Sequence, residues 1–233
     1  MWTTGPVPPT DFAAAEPWGN AGFNPSPIGY QFSDHIIQSI VTRDPAYDIR
    51  AYDVSRSGYI GFDTLAKFDA RTAAGNASDP ARYGAFIQSG RKMIIYHGYS
   101  DPALTPFRTI NLYHQLAAIA GGYGPLQRSV ALFMAPGLQH CFGGPGPNVF
   151  DTLAPLERWV EQGVTPTSIP AAHYANDDLA QPVDRTMPLC PYPTEATYAG
   201  AGDVASAANW SCSPNERLLQ VGPNGTQAGL DAN

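Results

Sequence analysis

Two short runs, Met93-Ile94-Ile95-Tyr96 and Val130-Ala131-Leu132-Phe133-Met134, are apolar at nearly every position, and each runs out into a turn rich in glycine or proline. A strand with no polar face needs cover on both sides, which is the situation of strands in a parallel sheet. Between the two runs, Thr105-Pro106 opens a stretch in which Ile110, Tyr113, Leu116, Ala117 and Ala120 recur at helical spacing, and Gly121-Gly122 ends it. Strands over 91–96 and 129–134 joined by a helix over 105–120 form one right-handed βαβ unit.

Away from this unit the pattern weakens. Residues 1–30 are rich in proline, glycine and asparagine but carry Trp2, Phe12, Trp18, Phe23 and Tyr30, more large apolar side chains than a linker has reason to hold. Phe32, Ile36, Ile37, Ile40 and Val41 mark a helix over 31–42, with Ser33 or Asp34 as its N-cap. A second helix is expected over 64–74, and Asp79-Pro80 begins a turn. Past the glycine-rich loop 143–147, Phe150, Leu153, Leu156, Trp159 and Val160 give an amphipathic helix over 149–162, stopped by Gly163. Residues 164–233 show little periodicity and read as a long coil tail.

In an open α/β sheet the chemistry sits beyond the carboxyl ends of the strands. The first strand delivers Asp101, in Tyr96-His97-Gly98-Tyr99-Ser100-Asp101-Pro102, and the second delivers His140, in Pro136-Gly137-Leu138-Gln139-His140-Cys141. A carboxylate that fixes a histidine tautomer and a histidine that takes a proton from serine are two members of a triad whose chain order in one hydrolase arrangement is Ser, Asp, His. The serine is missing: Gly-X-Ser-X-Gly does not occur, and Ser57-Gly58 and Ser89-Gly90 lack the leading glycine. Local chemistry alone makes Asp101 an Asx-turn residue before Pro102. His97 reads as structural, because Asp101 is too near it along the chain to serve it as a triad acid. His35, His114 and His173 lack metal-ligand spacing and read as structural or solvent-facing, while Asp44, Asp48, Asp53 and Asp63 read as caps rather than calcium ligands.

Charge excludes two classes of partner. With 13 basic against 20 acidic residues the formal charge is −7, which offers no footprint for nucleic acid or an anionic membrane. No run approaches the roughly 20 apolar residues of a membrane span, and the opening Met1-Trp2-Thr3-Thr4 lacks the basic and apolar regions of a signal peptide. Hydrophobic content of 43% suffices for a core, and 23 glycines with 23 prolines imply many turns. Three cysteines leave two options open, unrelated thiols or one pair with Cys141 left over.

The stretches 90–102, 133–147 and 156–163, followed by Met187-Pro188-Leu189-Cys190-Pro191-Tyr192-Pro193 and Tyr198-Ala199-Gly200-Ala201-Gly202, together resemble the carboxyl-terminal part of the tannase and feruloyl esterase family. The resemblance implies an α/β fold comprising the carboxyl-terminal part of an α/β-hydrolase sheet (86–233, with its coil tail) and the later part of an inserted lid domain (1–85). It implies a secreted or periplasmic carboxylic ester hydrolase acting on aromatic acid esters. Asp101 would be the triad acid, His140 the general base, Cys190 and Cys212 a disulfide, and Cys141 the partner of a cysteine beside the missing serine. No cofactor is implied in this chain, since the family's calcium loop lies in the portion not covered. The chain alone is expected to be inactive and to need a complementary amino-terminal half; the alternative is a non-catalytic remnant or an aromatic-ligand-binding module.

Overall fold

The computed structural model describes residues 35–48, 70–75, 77 and 79–215, and divides into two units, Met1–Ala77 and Ser78–Asn233. In the first unit, Ile37–Thr42 is a π-helical turn that buries Ile37 and Val41, while Ile36 and Ile40 face outward. Arg43, in the left-handed region at φ 58°, ends it. The Arg71 guanidinium donates to the Ile40 (3.2 Å) and Val41 carbonyls, supplying partners that a helix end lacks. Residues 70–72 are helical and run into a 3-10 turn at Ala73–Gly75. The expected cap at Ser33 or Asp34 and the start of the second helix lie outside the described residues.

The second unit is built on the βαβ unit. Strand β1 (Met93–Gly98) pairs in parallel with β2 (Val130–Ala135), Met93 opposite Val130 and Gly98 opposite Ala135. Before them, Asp79 caps a 3-10 turn at Pro80–Tyr83 that leads into α1 (Gly84–Gln88). Between the strands run α2 (Pro106–Ala120), ended by Gly121 at φ 83°, and the short α3 (Tyr123–Gln127).

Every residue of β2 is buried, and its alternate side chains feed two cores. Val130, Leu132 and Met134 pack on Ile110, Tyr113, Leu116 and Ala117 of α2. Ala131, Phe133 and Ala135 meet Leu138, Trp159, Ile169 and Leu189 on the opposite face. The far edge of β2 is covered as well, by a bridge from Phe133 to Pro191 and by Tyr192 N–H donating to the Leu132 carbonyl at 2.7 Å. Among the described residues β1 pairs with β2 alone, and Tyr96 is 42% exposed, so the cover expected on both faces of the first strand is incomplete.

The carboxyl-terminal region departs from expectation. Val149–Phe150 is a strand (β3), and α4 begins only at Leu153 and runs to Gln162, with Asp151 Oδ1 accepting the Leu153 N–H at 2.7 Å. Of the side chains expected to face inward, Trp159 is buried, but Leu153 and Val160 are each 61% exposed. Where the predicted coil tail is described, up to residue 215, it holds strands: β4 (Ile169–Tyr174) lies antiparallel between β3 and β5 (Val183–Leu189), and β6 (Thr194–Tyr198) pairs with β7 (Trp210–Pro214) in a separate antiparallel hairpin. A Cys190–Cys212 disulfide ties β7 to the segment after β5. Pro170 stands opposite Pro188 in this ladder, and two residues without an N–H donor make such strands hard to see in sequence. No helix among the described residues is long and apolar enough to cross a membrane.

Candidate active site

Register places the two titratable residues side by side. Because β1 and β2 are parallel and end together at Gly98 and Ala135, the chain leaves both strands on the same edge. Tyr99 N–H continues the ladder to the Ala135 carbonyl (2.9 Å), and Ser100 N–H donates to the Leu138 carbonyl (3.1 Å). The approach is so close that a Cβ on Gly98 would lie 2.2 Å from the Leu138 oxygen, so only glycine fits there.

The Asp101 carboxylate divides its two oxygens between two tasks. Oδ1 accepts the backbone N–H groups of Ala103 and Leu104, each at 2.8 Å, which closes an Asx-type turn. Oδ2 faces His140 Nδ1 at 2.8 Å and His97 Nε2 at 3.1 Å. The turn residue and the histidine partner, alternatives in the sequence, are therefore the same group at once. The Asp101 side chain is 3% exposed and that of His140 20%. Burial by itself would raise the Asp101 pKa. The hydrogen bonds from Leu104 N–H, His140 and Ala103 N–H, with the field of His140, outweigh it and hold the carboxyl below its ordinary value.

Geometry also fixes which nitrogens carry protons. His140 Nδ1 faces a carboxylate and must donate, which leaves the lone pair of the neutral ring on Nε2. His97 Nε2 faces two acceptors, Asp101 Oδ2 and the Leu104 carbonyl (3.1 Å), so it too carries a proton, and in the neutral ring its Nδ1 accepts from the Thr109 hydroxyl at 2.7 Å. Sequence reasoning set His97 apart from Asp101 because only four residues separate them. A turn brings residue i+4 back beside residue i, and His97 is the second support that holds this carboxylate.

The loop from 136 to 147 presents His140 at its rim. Leu138 anchors it in the core, and Gln139 N–H donates to the Gly143 carbonyl at 3.0 Å. Cys141 is exposed, carries a free thiol and sits at φ 65°, in the left-handed region that L residues rarely occupy.

The remaining candidates fall elsewhere. His35 is exposed on a helix. His114 lies between the hydroxyls of Tyr123 and Tyr192 (3.2 Å to the latter), and burial pushes its pKa down. His173 is on a strand rather than in coil, between Asp177 and Asp184. Asp44 Oδ1 caps a turn by accepting Ala46 N–H at 2.9 Å, whereas Asp53 and Asp63 lie outside the described residues. An apolar cavity of about 310 Å³, lined by Tyr99, Phe107, Met134, Met187 and Glu195 among others, opens on the α2 side and includes neither Asp101 nor His140. In it the Tyr99 hydroxyl is pushed up to about 12 by burial and by the Glu195 carboxylate.

Comparison with known proteins places this geometry in context. The chain is 44% identical over 128 residues to a mono(2-hydroxyethyl) terephthalate hydrolase of Piscinibacter sakaiensis, covering 55% of this chain and 21% of that protein. It is 33% identical over 211 residues to an uncharacterized esterase of Xanthomonas campestris pv. campestris, covering 74% of this chain and 37% of that protein. The fold matches a crystal structure of an esterase from Aspergillus oryzae with a TM-score of 0.66 at 22% identity, over 78% of this chain and 38% of that one. The chain thus spans about a fifth to two fifths of the length of the proteins it resembles. The sequence pattern of tannase and feruloyl esterase matches residues 33–213, and the chain belongs to that family.

Proposed function

We propose that this chain carries the acid and base of a serine-type carboxylic ester hydrolase, as the carboxyl-terminal part of an α/β-hydrolase domain. One observation carries the proposal: Asp101 and His140, from the ends of two paired parallel strands, meet at 2.8 Å with the histidine's Nδ1 toward the carboxylate. That contact leaves Nε2 as the base. A serine from polypeptide outside this chain would attack the ester carbonyl while His140 Nε2 takes its proton. Asp101 would hold the imidazolium that forms, and His140 would then return the proton to the leaving alkoxide. Water, deprotonated by the same nitrogen, would release the acid.

An aromatic acyl group is the substrate class proposed, supported by the family's name and by the terephthalate ester named for one relative. The calcium of the family's lid and a secreted or periplasmic location belong to the same proposal. So does the disulfide of Cys141 to a cysteine beside the nucleophile, which its exposed thiol next to His140 would suit. The half-exposed β1, with Tyr96 at the surface against Phe150, is where a complementary amino-terminal half would continue the sheet.

The chain alone is expected to hydrolyse methyl ferulate, methyl gallate and p-nitrophenyl acetate no faster than its His140→Ala variant, because the nucleophile and the oxyanion donors supply most of the rate. A chimera is the direct test. Residues 86–215 of this chain, set in place of the matching segment of the Piscinibacter enzyme, should give an active aromatic esterase that His140→Ala silences. A folded chimera that is inactive would overturn the proposal and favour a ligand-binding remnant, and one that stays active after His140→Ala would overturn it by excluding His140 as the base.

A further inference from the structure

A second histidine and carboxylate cluster stands behind the His140 loop and is not accounted for by the reaction. Asp177 Oδ2 accepts the Gly144 N–H at 3.2 Å, and Asp177 Oδ1 accepts the side-chain amide of Asn148. Asn148 Nδ2 also reaches the Gly144 carbonyl at 3.4 Å, so both backbone polar groups of Gly144 are held. His173 Nε2 lies 3.4 Å from Asp177 Oδ1, and its Nδ1 lies 2.5 Å from Asp184 Oδ1.

Gly144 in turn touches the segment that carries the base. Its φ is 105°, and a Cβ built on it would lie 2.2 Å from the Gly137 carbonyl oxygen and 3.3 Å from Gln139 N, on the residue before His140. Gly144 is thus packed directly on the inner wall of the loop. Through these contacts a shift of Gly144 would be passed to Gln139, the neighbour of His140.

The turn from 174 to 183 does not need Asp177 for its own closure. Ala175 N–H donates to the Pro182 carbonyl (3.1 Å), Asp178 N–H to the Ala175 carbonyl (3.3 Å), and Asp178 Oδ1 caps Ala180 N–H (2.9 Å). Asn176 and Asp177 nevertheless sit consecutively in the left-handed region, at φ 62° and 56°. Two such residues in succession are costly for L amino acids, and the result is a carboxylate turned away from its own turn and onto the neighbouring loop.

We propose that Asp177, steadied by His173 and Asn148, is a positioning residue for His140: it clamps Gly144 and thereby holds the His140 ring in register with Asp101. The inference rests on the reading of His140 as the base. Clamping of this kind matters because a displacement of about 1 Å at a reacting group costs on the order of a hundredfold in rate.

The test uses the full 233-residue chain and needs no activity. The ring nitrogens of His140 and His114 are followed by nitrogen-15 NMR, with His140 assigned from a His140→Gln variant, in wild type, Asp177→Ala and Asp177→Asn. Asp177→Ala should remove the downfield Nδ1 proton of His140 and move its nitrogens toward an average of the two tautomers, while His114 keeps its shifts. Asp177→Asn retains an oxygen for Gly144 N–H and should restore most of the His140 signal. An Asp177→Ala spectrum identical to wild type at His140, or one in which His114 moves as far as His140, would overturn the assignment; the second result would mean general loosening. A silent chimera would refute the esterase reading and leave this measurement standing on its own.

Discussion

Replacing Asp101 with asparagine should lower kcat for aromatic ester hydrolysis by about ten-thousandfold in the chimera, the size of effect such a swap has in serine triads. KM should stay within a few-fold. The direction follows from the hydrogen bonds around the carboxylate. Ala103 and Leu104 both present N–H groups to Oδ1, so an asparagine must put its one carbonyl oxygen there and turn its NH₂ group toward His140 Nδ1 and His97 Nε2. An NH₂ donor can meet Nδ1 only if that nitrogen gives up its proton, and the ring then carries hydrogen on Nε2 and cannot act as a base. At 1.36 kcal/mol per decade the loss corresponds to about 5.5 kcal/mol of transition-state stabilisation. A loss under about tenfold would mean that the carboxylate does not set the tautomer.

The same residue predicts a pH dependence of stability. Its carboxyl titrates lower in the folded chain than the value of about 3.9 for a free aspartate. The stabilisation it provides is therefore complete above that value and is lost as pH falls through the folded one. Asp101→Asn should flatten this acid limb.

Trp159→Ala should cost about 3–5 kcal/mol of folding stability, read as a fall in the denaturant midpoint at unchanged slope. Trp159 is 1% exposed, at the centre of the core that joins α4 to β2, β4 and β5, and Lys92 Nζ lies 5.4 Å from its ring centre. Typical domains hold only about 5–15 kcal/mol in total, so this single truncation approaches unfolding. Leu153→Ala, at a position 61% exposed, should stay within about 0.5 kcal/mol. Equal effects at the two positions would contradict the described packing of α4. Because Leu138 belongs to the same core, the Trp159 variant should also loosen the loop that carries His140.

The contrast between these two residues shows how far the sequence was legible. The pattern held for α2, which begins at Pro106 and is ended by Gly121 as its spacing predicts, and for β2, which is apolar throughout and covered on both faces. The strands run one or two residues later than predicted, since Gly98 and Ala135, small residues that end an apolar run, still pair. In α4 the apolar stripe overstates burial. Pro155 and Trp159 turn inward, whereas Leu153 and Val160 stand on the outer side despite their hydrophobicity.

The carboxyl-terminal strands were missed for a different reason. Val183-Asp184-Arg185-Thr186 carries charges on β5, at the edge of its three-stranded sheet, and in the central strand β4 Pro170 interrupts the strand pattern opposite Pro188. That Asp101 and His140 lie together was legible because each follows one of two paired apolar strands. The contact of His97 with Asp101, and the hold of Asp177 on Gly144, depend on turn geometry that spacing does not encode.

The protonation of one ring tests the central claim most directly. Nitrogen-15 NMR of neutral His140 in this chain should show the proton on Nδ1 and the lone pair on Nε2, and Asp101→Asn should exchange the two. A ring protonated on Nε2 in the wild-type chain, or a spectrum indifferent to Asp101→Asn, would contradict it.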